Sequence, residues 1–280
     1  MKYQSLTMTI RLPPLFFLSL IVLQACKKNN NAPNELASNC GTRLRIISSL
    51  DKESNTTYFR SLNYVGERLE TFVDSILFPG DNSTYIGVSS SIKRVEYDQG
   101  DRIIQITERD GPSDSVYQLW FYDAQNLIVK GIFISKLERD TLQHIYSYDV
   151  QKRLAIDSAF DNKKQNLVNY TTFRYDTNGN ALEWNHYTNE SGTLANDLKA
   201  EITYDNHPNP FQGIGLYTVP YEDDYSGLSR NNIIKLTLSN VTVIEYQYQY
   251  QYCDNGWPKS AVLTIAPNQK TVRNIAYQYY

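Results

Sequence analysis

The chain has 280 residues and a formal net charge of −3 at neutral pH. This mild acidity offers no electrostatic basis for binding nucleic acid, so we expect no nucleic-acid partner. The length suffices for one large all-β domain or two smaller domains.

The first 25 residues have the layout of an export signal. Lys2 and Arg11 supply positive charge around the start of the apolar run LPPLFFLSLIVL, which is too short to cross a bilayer as a helix. The run ends in LQAC, residues 23–26, which resembles the lipobox of bacterial lipoproteins. This resemblance implies that Cys26 is lipidated and anchors the protein to a membrane, the alternative being an ordinary cleaved signal.

Residues 26–40 are polar and rich in asparagine, so they cannot bury enough apolar surface to fold. We expect a flexible tether there, followed by a single folded domain over residues 41–280. The start Cys-Lys-Lys-Asn resembles that of many outer-membrane lipoproteins of Bacteroidetes. The resemblance implies a location at the outer membrane, facing either the periplasm or the cell exterior.

Two cysteines remain once Cys26 is lipidated. Cys40 and Cys253 would both lie in an oxidising compartment, where a disulfide could staple the first strand to the C-terminal sheet. The sequence leaves this bond open, because it cannot place the two Cα atoms within bonding reach.

A degenerate motif recurs along the folded part of the chain. It consists of a short alternating run that ends in Tyr-Asp, a turn, and an apolar run. Looser copies occur at Tyr64 and Tyr252. The other motif tyrosines, separated by 25, 26, 27 and 29 residues, are Tyr97, Tyr122, Tyr148, Tyr175 and Tyr204.

Each copy of the motif predicts a β-hairpin. Asp, Asn and Gly favour tight turns, whereas Val, Ile, Thr, Tyr and Phe favour strands. A period near 26 residues accommodates two strands and two turns. Residues 42–280 would then hold about 15–16 antiparallel strands.

The alternation within the motif also predicts which face of the sheet is buried. The residue two before the motif tyrosine is apolar or aromatic, whereas the residue one before is polar in five of six copies. Because side chains at i and i−2 share a face, the tyrosines should lie on the apolar face. We therefore predict an all-β antiparallel meander that curls into a barrel-like sheet.

The motifs resemble two known groups of proteins. The Tyr-Asp copies resemble the tyrosine–aspartate repeats of Rhs-type β-shell proteins. The lipobox, the tether, the hairpins and the segment YDNHPNPF with a following S-x-N-N resemble more closely a family of Bacteroidetes lipoproteins of unknown function. That family is described as having a porin-like β-barrel fold, so the resemblance implies this fold and no particular activity.

Residues 205–232 depart from the repeat and predict a long loop. The segment holds three of the ten prolines and the acidic run Glu222-Asp223-Asp224. One interpretation is a lid over a barrel end, with aromatic residues that plug the mouth. The other is a functional loop that binds Ca²⁺ or stacks tyrosines on a sugar. The aromatic residues concerned are Phe211, Tyr217, Tyr221 and Tyr225.

The sequence VIEYQYQYQY, residues 243–252, places four tyrosines on the predicted buried face. They are Tyr246, Tyr248, Tyr250 and Tyr252. We expect them to line the core or lumen, and a sugar-stacking platform is the sharper alternative. A transmembrane barrel is disfavoured, since the terminal YQYY lacks the apolar alternation of a spanning final strand.

The sequence carries no motif typical of an enzyme, such as G-x-S-x-G, a P-loop or G-x-G-x-x-G. His144, His186 and His207 are far apart in the chain, so we expect neither a metal site nor a cofactor. The predicted function is a non-catalytic, monomeric, membrane-anchored structural or binding lipoprotein, with a glycan, a small molecule or a protein as partner. The alternatives are a carbohydrate-active or other hydrolytic enzyme using carboxylates within the barrel, and a transport accessory or small pore.

Overall fold

The computed structural model describes residues 41–280 apart from 42, 53, 80–84, 111–112, 136–139, 162, 164, 191, 213–224, 241 and 267–269. The predicted leader and tether, with Cys26 and Cys40, therefore lie outside the described residues, as do Tyr217 and Tyr221. Within the described part of the chain, no helix is long and apolar enough to cross a membrane.

The described residues form sixteen β-strands in one antiparallel sheet. Each strand pairs with its neighbours in sequence, and the first strand pairs with the last, so the sheet closes into a barrel. The predicted all-β antiparallel meander is thereby confirmed. The strands are β1 (Leu44–Asp51), β2 (Thr57–Val65), β3 (Arg68–Pro79), β4 (Tyr85–Tyr97), β5 (Ile103–Asp110), β6 (Ser113–Tyr122), β7 (Ile128–Ser135), β8 (Asp140–Tyr148), β9 (Leu154–Asp161), β10 (Leu167–Tyr175), β11 (Ala181–Glu190), β12 (Thr193–Pro208), β13 (Asn231–Ser239), β14 (Val243–Tyr252), β15 (Pro258–Ala266) and β16 (Lys270–Tyr279), and a 3₁₀ helix (Tyr225–Leu228) precedes β13.

Burial follows the alternation that the sequence predicts. Val95, Trp120 and Tyr146, each two residues before a motif tyrosine, are at most 6% exposed. Glu96 and Ser147, which precede a motif tyrosine directly, are exposed. In a closed barrel the buried face of a strand is the inner face. The motif tyrosines therefore point into the barrel, where several pack against the main hydrophobic cluster.

The Tyr-Asp turns share one geometry whether or not they contain glycine. After Tyr122, the Asp123 carboxylate accepts hydrogen bonds from the backbone amides of Gln125 and Leu127 at 2.8 and 2.9 Å. This carboxylate stabilises the turn locally, so a non-glycine residue can follow in the left-handed region despite its conformational cost. The fourth residue after the tyrosine has a positive φ in five turns, at Asp101, Asn126, Lys152, Gly179 and Gly256.

Most motif tyrosines tie their hairpin to the preceding hairpin. The Tyr97 hydroxyl donates a hydrogen bond to the backbone carbonyl of Leu69 at 2.8 Å. The strand register also shifts beside Tyr97, which marks a bulge that increases local twist. The same hydroxyl–carbonyl bond, at 2.7–2.9 Å, joins Tyr122 to Ile103, Tyr148 to Ile128, Tyr175 to Leu154, Tyr204 to Ala181 and Tyr279 to Pro258. These bonds set the stagger between successive hairpins.

The seam between the two chain ends has the geometry of a hairpin without a turn. Leu44 pairs with Tyr279 across the seam, as Ile103 pairs with Tyr97 within a hairpin. The Tyr280 amide donates a hydrogen bond to the Arg43 carbonyl at 3.1 Å. The described chain therefore enters and leaves the barrel at the end that carries the Tyr-Asp turns.

Only one cysteine of the predicted disulfide, Cys253, lies among the described residues. Cys253 is buried and disulfide-bonded, and its partner lies outside the described residues. The neighbouring Trp257 ring lies 6.0 Å from the ring of Tyr279, so this turn adjoins the seam between β1 and β16.

The bond between Cys40 and Cys253 stays a prediction. We expect non-reducing peptide mapping to recover these two cysteines linked, and Cys253→Ser to lower the free energy of unfolding by about 2–4 kcal/mol. A linkage from Cys253 to Cys26 would contradict the predicted pairing.

The connection predicted over 205–232 is shorter in the structure. β12 continues to Pro208 and β13 begins at Asn231, so the connection spans residues 209–230. The strands extend this far because the Asp205 carboxylate accepts hydrogen bonds from the amides of His207 and Asn232 at 2.9 and 3.1 Å.

Both ends of connection 209–230 are anchored on the barrel. The Asn180 side-chain oxygen accepts hydrogen bonds from the amides of Arg230 and Asn231, each at 3.0 Å. Asn209 donates from its side chain to the Ser229 carbonyl at 2.9 Å, which holds the two ends together. Because Asn180 belongs to the neighbouring hairpin, the base of the connection is fixed to the barrel wall.

Candidate functional site

The four tyrosines of β14, Tyr246, Tyr248, Tyr250 and Tyr252, form what we call the tyrosine ladder. They are half-buried on the inner face of the barrel. Their orientation follows from strand pairing, since Tyr250 lies opposite the buried Ala261. The prediction that they line the core or lumen agrees with this placement.

The ring geometry limits how the ladder could bind a sugar. The rings of Tyr250 and Tyr252 have centroids 5.7 Å apart and planes 25° apart, and Tyr248 continues the row at 6.2 Å from Tyr250. His207, at the end of β12, stacks on Tyr252 with a centroid distance of 3.8 Å. This contact covers one face of Tyr252, so a sugar could not stack on that face.

The environment of two ladder tyrosines, Tyr250 and Tyr252, favours their protonated form. Burial raises the pKa of Tyr250 well above its usual value. Burial also raises the pKa of Tyr252, and its hydrogen bond to the Asp205 carboxylate adds to the shift. The ladder therefore combines aromatic surface with neutral phenols at Tyr250 and Tyr252, a combination suited to polar, uncharged ligands.

Four polar side chains on neighbouring strands form a second group on the inner face, which we call the polar row. His144 on β8 contacts Asp157 on β9, with Nδ1 and Oδ1 2.8 Å apart. Thr171 on β10 contacts His186 on β11, with Oγ1 and Nδ1 2.9 Å apart. Asp157 and Thr171 are direct cross-strand partners and are 7% and 2% exposed. Strand pairing thus assembles a connected row that the sequence did not predict.

The signal for the polar row in the sequence is weak. His144 and Thr171 stand four residues before Tyr148 and Tyr175, so parity places both on the inner face. Parity does not say which strands are neighbours or how far their register is shifted. His144 and His186 are far apart in the chain, but both belong to the polar row through their contacts with Asp157 and Thr171.

Tyr225, in the 3₁₀ helix of connection 209–230, reaches the polar row. Its hydroxyl lies 3.4 Å from Asp157 Oδ2 and 3.3 Å from Thr171 Oγ1. Its ring meets the rings of Phe173 and Trp184 edge-to-face, with centroids 4.5 and 6.1 Å apart. Such contacts are those expected of a side chain that plugs the barrel.

Ionised side chains occupy another part of the inner face, on β2 to β5. Asp74 accepts hydrogen bonds from Arg60 at 2.6 and 3.1 Å and from Lys93 at 2.8 Å. Lys93 also lies 3.8 Å from Glu108. Burial opposes ionisation of Asp74, but the hydrogen bonds and charges of Arg60 and Lys93 outweigh it and lower the pKa of this carboxyl. The positive charges of Arg60 and Lys93 are thus balanced by the nearby carboxylates of Asp74 and Glu108.

Metal binding finds no support in the described residues. No three His, Cys, Asp or Glu side chains among them are grouped so as to hold a metal ion. The acidic run Glu222-Asp223-Asp224, considered for Ca²⁺, lies outside the described residues.

Solved structures of two porin-like proteins are similar to this barrel. One is from Bacteroides uniformis ATCC 8492, with 12% sequence identity and a TM-score of 0.60 over 86% of this chain and 99% of that chain. The other is from Bacteroides vulgatus ATCC 8482, with 10% identity and a TM-score of 0.51 over 85% and 99%. No protein-family model and no curated protein matches the chain. The fold is a porin-like β-barrel, which is compatible with an outer-membrane location.

Proposed function

We propose that the protein is a membrane-anchored, non-catalytic binding protein that takes a glycan or small molecule on the inner face of its barrel. The observation that carries the proposal is the distribution of polarity across the barrel wall. The inner face carries the tyrosine ladder and the polar row, whereas exposed charges lie on the outer face. The outward charged residues include Arg94, Glu96, Arg109, Arg174 and Glu201.

The charged outer face is the opposite of that in a membrane-spanning barrel. Spanning barrels carry an apolar outward band, and Arg or Lys on that face costs about 2–4 kcal/mol at the bilayer midplane. A barrel with outward Arg94 and Arg109 is better suited to water, with attachment supplied by a lipid on Cys26. The proposed location is the outer membrane, on its periplasmic or its exterior side.

The carboxyl groups favour binding without catalysis. A glycosidase needs a general acid whose pKa is raised. Asp74 on the inner face has a lowered pKa and is paired with two cations. The other described carboxyls with a shifted pKa are also lowered, and they are Asp98, Asp149, Asp176, Glu183 and Glu245.

The tyrosine ladder gives the proposal its test. We expect the full-length protein to bind at least one member of a panel of neutral, amino-sugar and uronic-acid oligosaccharides. Tyr248→Ala should weaken that binding about tenfold, since a lost aromatic contact of about 1.4 kcal/mol corresponds to this factor. Isothermal titration calorimetry measures the affinity.

Gln249→Ala is the matched control, because Gln249 neighbours Tyr248 in sequence and is exposed on the outer face. It should leave the affinity unchanged. Equal losses in the two variants, or no binding of any oligosaccharide by the unaltered protein, would contradict a glycan site on the ladder.

A further inference from the structure

Tyr225 fills a position on the inner wall that combines two aromatic rings with two hydrogen-bond acceptors. Phe173 and Trp184 meet its ring edge-to-face, with interplanar angles of 78° and 66°. The Asp157 carboxylate and the Thr171 hydroxyl lie within 3.4 Å of its phenol oxygen. Edge-to-face contacts suit an aromatic ring, and the two oxygens suit a hydroxyl on that ring. The wall is therefore complementary to the phenol of Tyr225.

The phenol that occupies this position does not belong to the wall. Tyr225 comes from connection 209–230, whereas Asp157, Thr171, Phe173 and Trp184 belong to strands β9 to β11. Its hydroxyl contacts, at 3.3 and 3.4 Å, are longer than the 2.7–2.8 Å bonds that the motif tyrosines make to backbone carbonyls. Hydrogen bonds weaken as they lengthen, so these two hydroxyl contacts are weaker than the bonds of the motif tyrosines.

The acceptors of the wall also have partners on the barrel itself. Asp157 contacts His144, and Thr171 contacts His186. The acceptors are thus fixed by the barrel before any ligand arrives, and a preorganised site loses little free energy on binding.

We propose that the polar row, together with Phe173 and Trp184, is a binding site for a para-substituted phenol, and that Tyr225 is its internal competitor. An incoming phenol takes the place of the Tyr225 ring, and its hydroxyl group donates a hydrogen bond to Asp157 or Thr171. The inference rests on the proposed function only in that ligands reach the inner face. It requires neither the tyrosine ladder nor lipid on Cys26.

The chemistry of the site distinguishes a phenol from other ligands. An anionic ligand would meet the carboxylate of Asp157, and like charges repel. A pyranose has no aromatic ring, so it could not reproduce the edge-to-face ring contacts that Tyr225 makes with Phe173 and Trp184. A phenol satisfies both requirements, and it can come from a free small molecule or from a tyrosine side chain of a peptide. The probes 4-methylphenol and N-acetyl-L-tyrosinamide represent these two sources.

The test compares Tyr225→Ala with the unaltered full-length protein by isothermal titration calorimetry. We expect 4-methylphenol to bind the variant at least about tenfold more tightly, because the internal competitor is gone. Tyr217→Ala, which alters another tyrosine of the same connection, is the matched control and should bind as the unaltered protein does. Adding Thr171→Val to Tyr225→Ala should remove at least about fivefold of the gain, because one acceptor is lost.

Three results would overturn the inference: equal affinities in Tyr225→Ala and the unaltered protein, the same gain in Tyr217→Ala, or a gain that Thr171→Val leaves intact. A gain with both probes, or with 4-methylphenol alone, supports the site and identifies the source it admits. If Tyr225→Ala does not fold, Tyr225→Leu retains apolar packing and is judged by the same tenfold criterion. The oligosaccharide panel does not report on this site, so either proposal can fail without the other.

Discussion

Raising the pH from 10 to 12 should unfold the barrel, because many of its tyrosines are buried in the neutral form. Burial raises the pKa of Tyr64 to about 12. It raises the pKa of four further tyrosines still higher above the usual value, and these are Tyr175, Tyr250, Tyr252 and Tyr279. The folded state therefore resists loss of these protons, whereas the unfolded chain releases them near pH 10.

The direction of the effect follows from this difference in proton binding. Below the unfolded pKa near 10 both states are protonated, and the stabilisation is fully present. Above it the unfolded state binds fewer protons, so stability falls as the pH rises. Each such group contributes about 1.4 kcal/mol per pH unit, and the two most buried, Tyr175 and Tyr250, together contribute about 3 kcal/mol per unit. Two pH units would remove about 6 kcal/mol, which is comparable with the whole stability of many domains.

Circular dichroism at a series of pH values, with tyrosinate absorbance followed in parallel, measures this transition. We expect both signals to change together between pH 10 and 12. In Tyr175→Phe the slope of stability against pH should decrease by about 1.4 kcal/mol per unit, although the lost bond to Leu154 lowers stability at neutral pH by about 1 kcal/mol. Gradual tyrosine ionisation near pH 10 without unfolding would show that the tyrosines are open to water.

Replacing Asp74 by alanine should destabilise the barrel by about 3–5 kcal/mol, since it leaves Arg60 and Lys93 without their shared carboxylate. Lys93 is 5% exposed, so water cannot replace the lost partner. Denaturant titration at pH 7 measures the change. Glu201→Ala removes an exposed partner of Lys199 and should cost under about 1 kcal/mol, which makes it the matched control.

The Asp74 carboxyl group should also contribute to acid unfolding. Its lowered folded pKa means that its stabilisation is present above the unfolded value near 3.8 and is lost as the pH falls through the folded value. Asp74→Asn should therefore show a smaller loss of stability between pH 5 and pH 2 than the unaltered protein. Equal acid sensitivity in the two proteins would assign the acid transition to other groups.

Local patterns in the sequence determined the architecture of the barrel. Tyr122-Asp123 predicts a strand that ends in a turn, because the carboxylate bonds to amides two and four residues on. The alternation around Trp120 predicts the inner face, because side chains in a strand alternate between faces. Repetition of this unit leads to a closed antiparallel sheet, since every copy pairs with the next.

The candidate binding surfaces depend on tertiary contacts rather than on local sequence patterns. The tyrosine ladder was visible because its residues lie on one strand, but the stacking of His207 on Tyr252 depends on how β12 lies near β14. The polar row takes one residue from each of four strands and is completed by Tyr225, 54 residues after Thr171 in the chain. Spacing along the sequence carries no information on such contacts, because they depend on strand register, on the bulges beside the motif tyrosines and on the path of connection 209–230. The sequence by itself therefore determined the hairpins, the buried face and the all-β barrel, whereas only the tertiary structure decided which polar and aromatic side chains meet inside it.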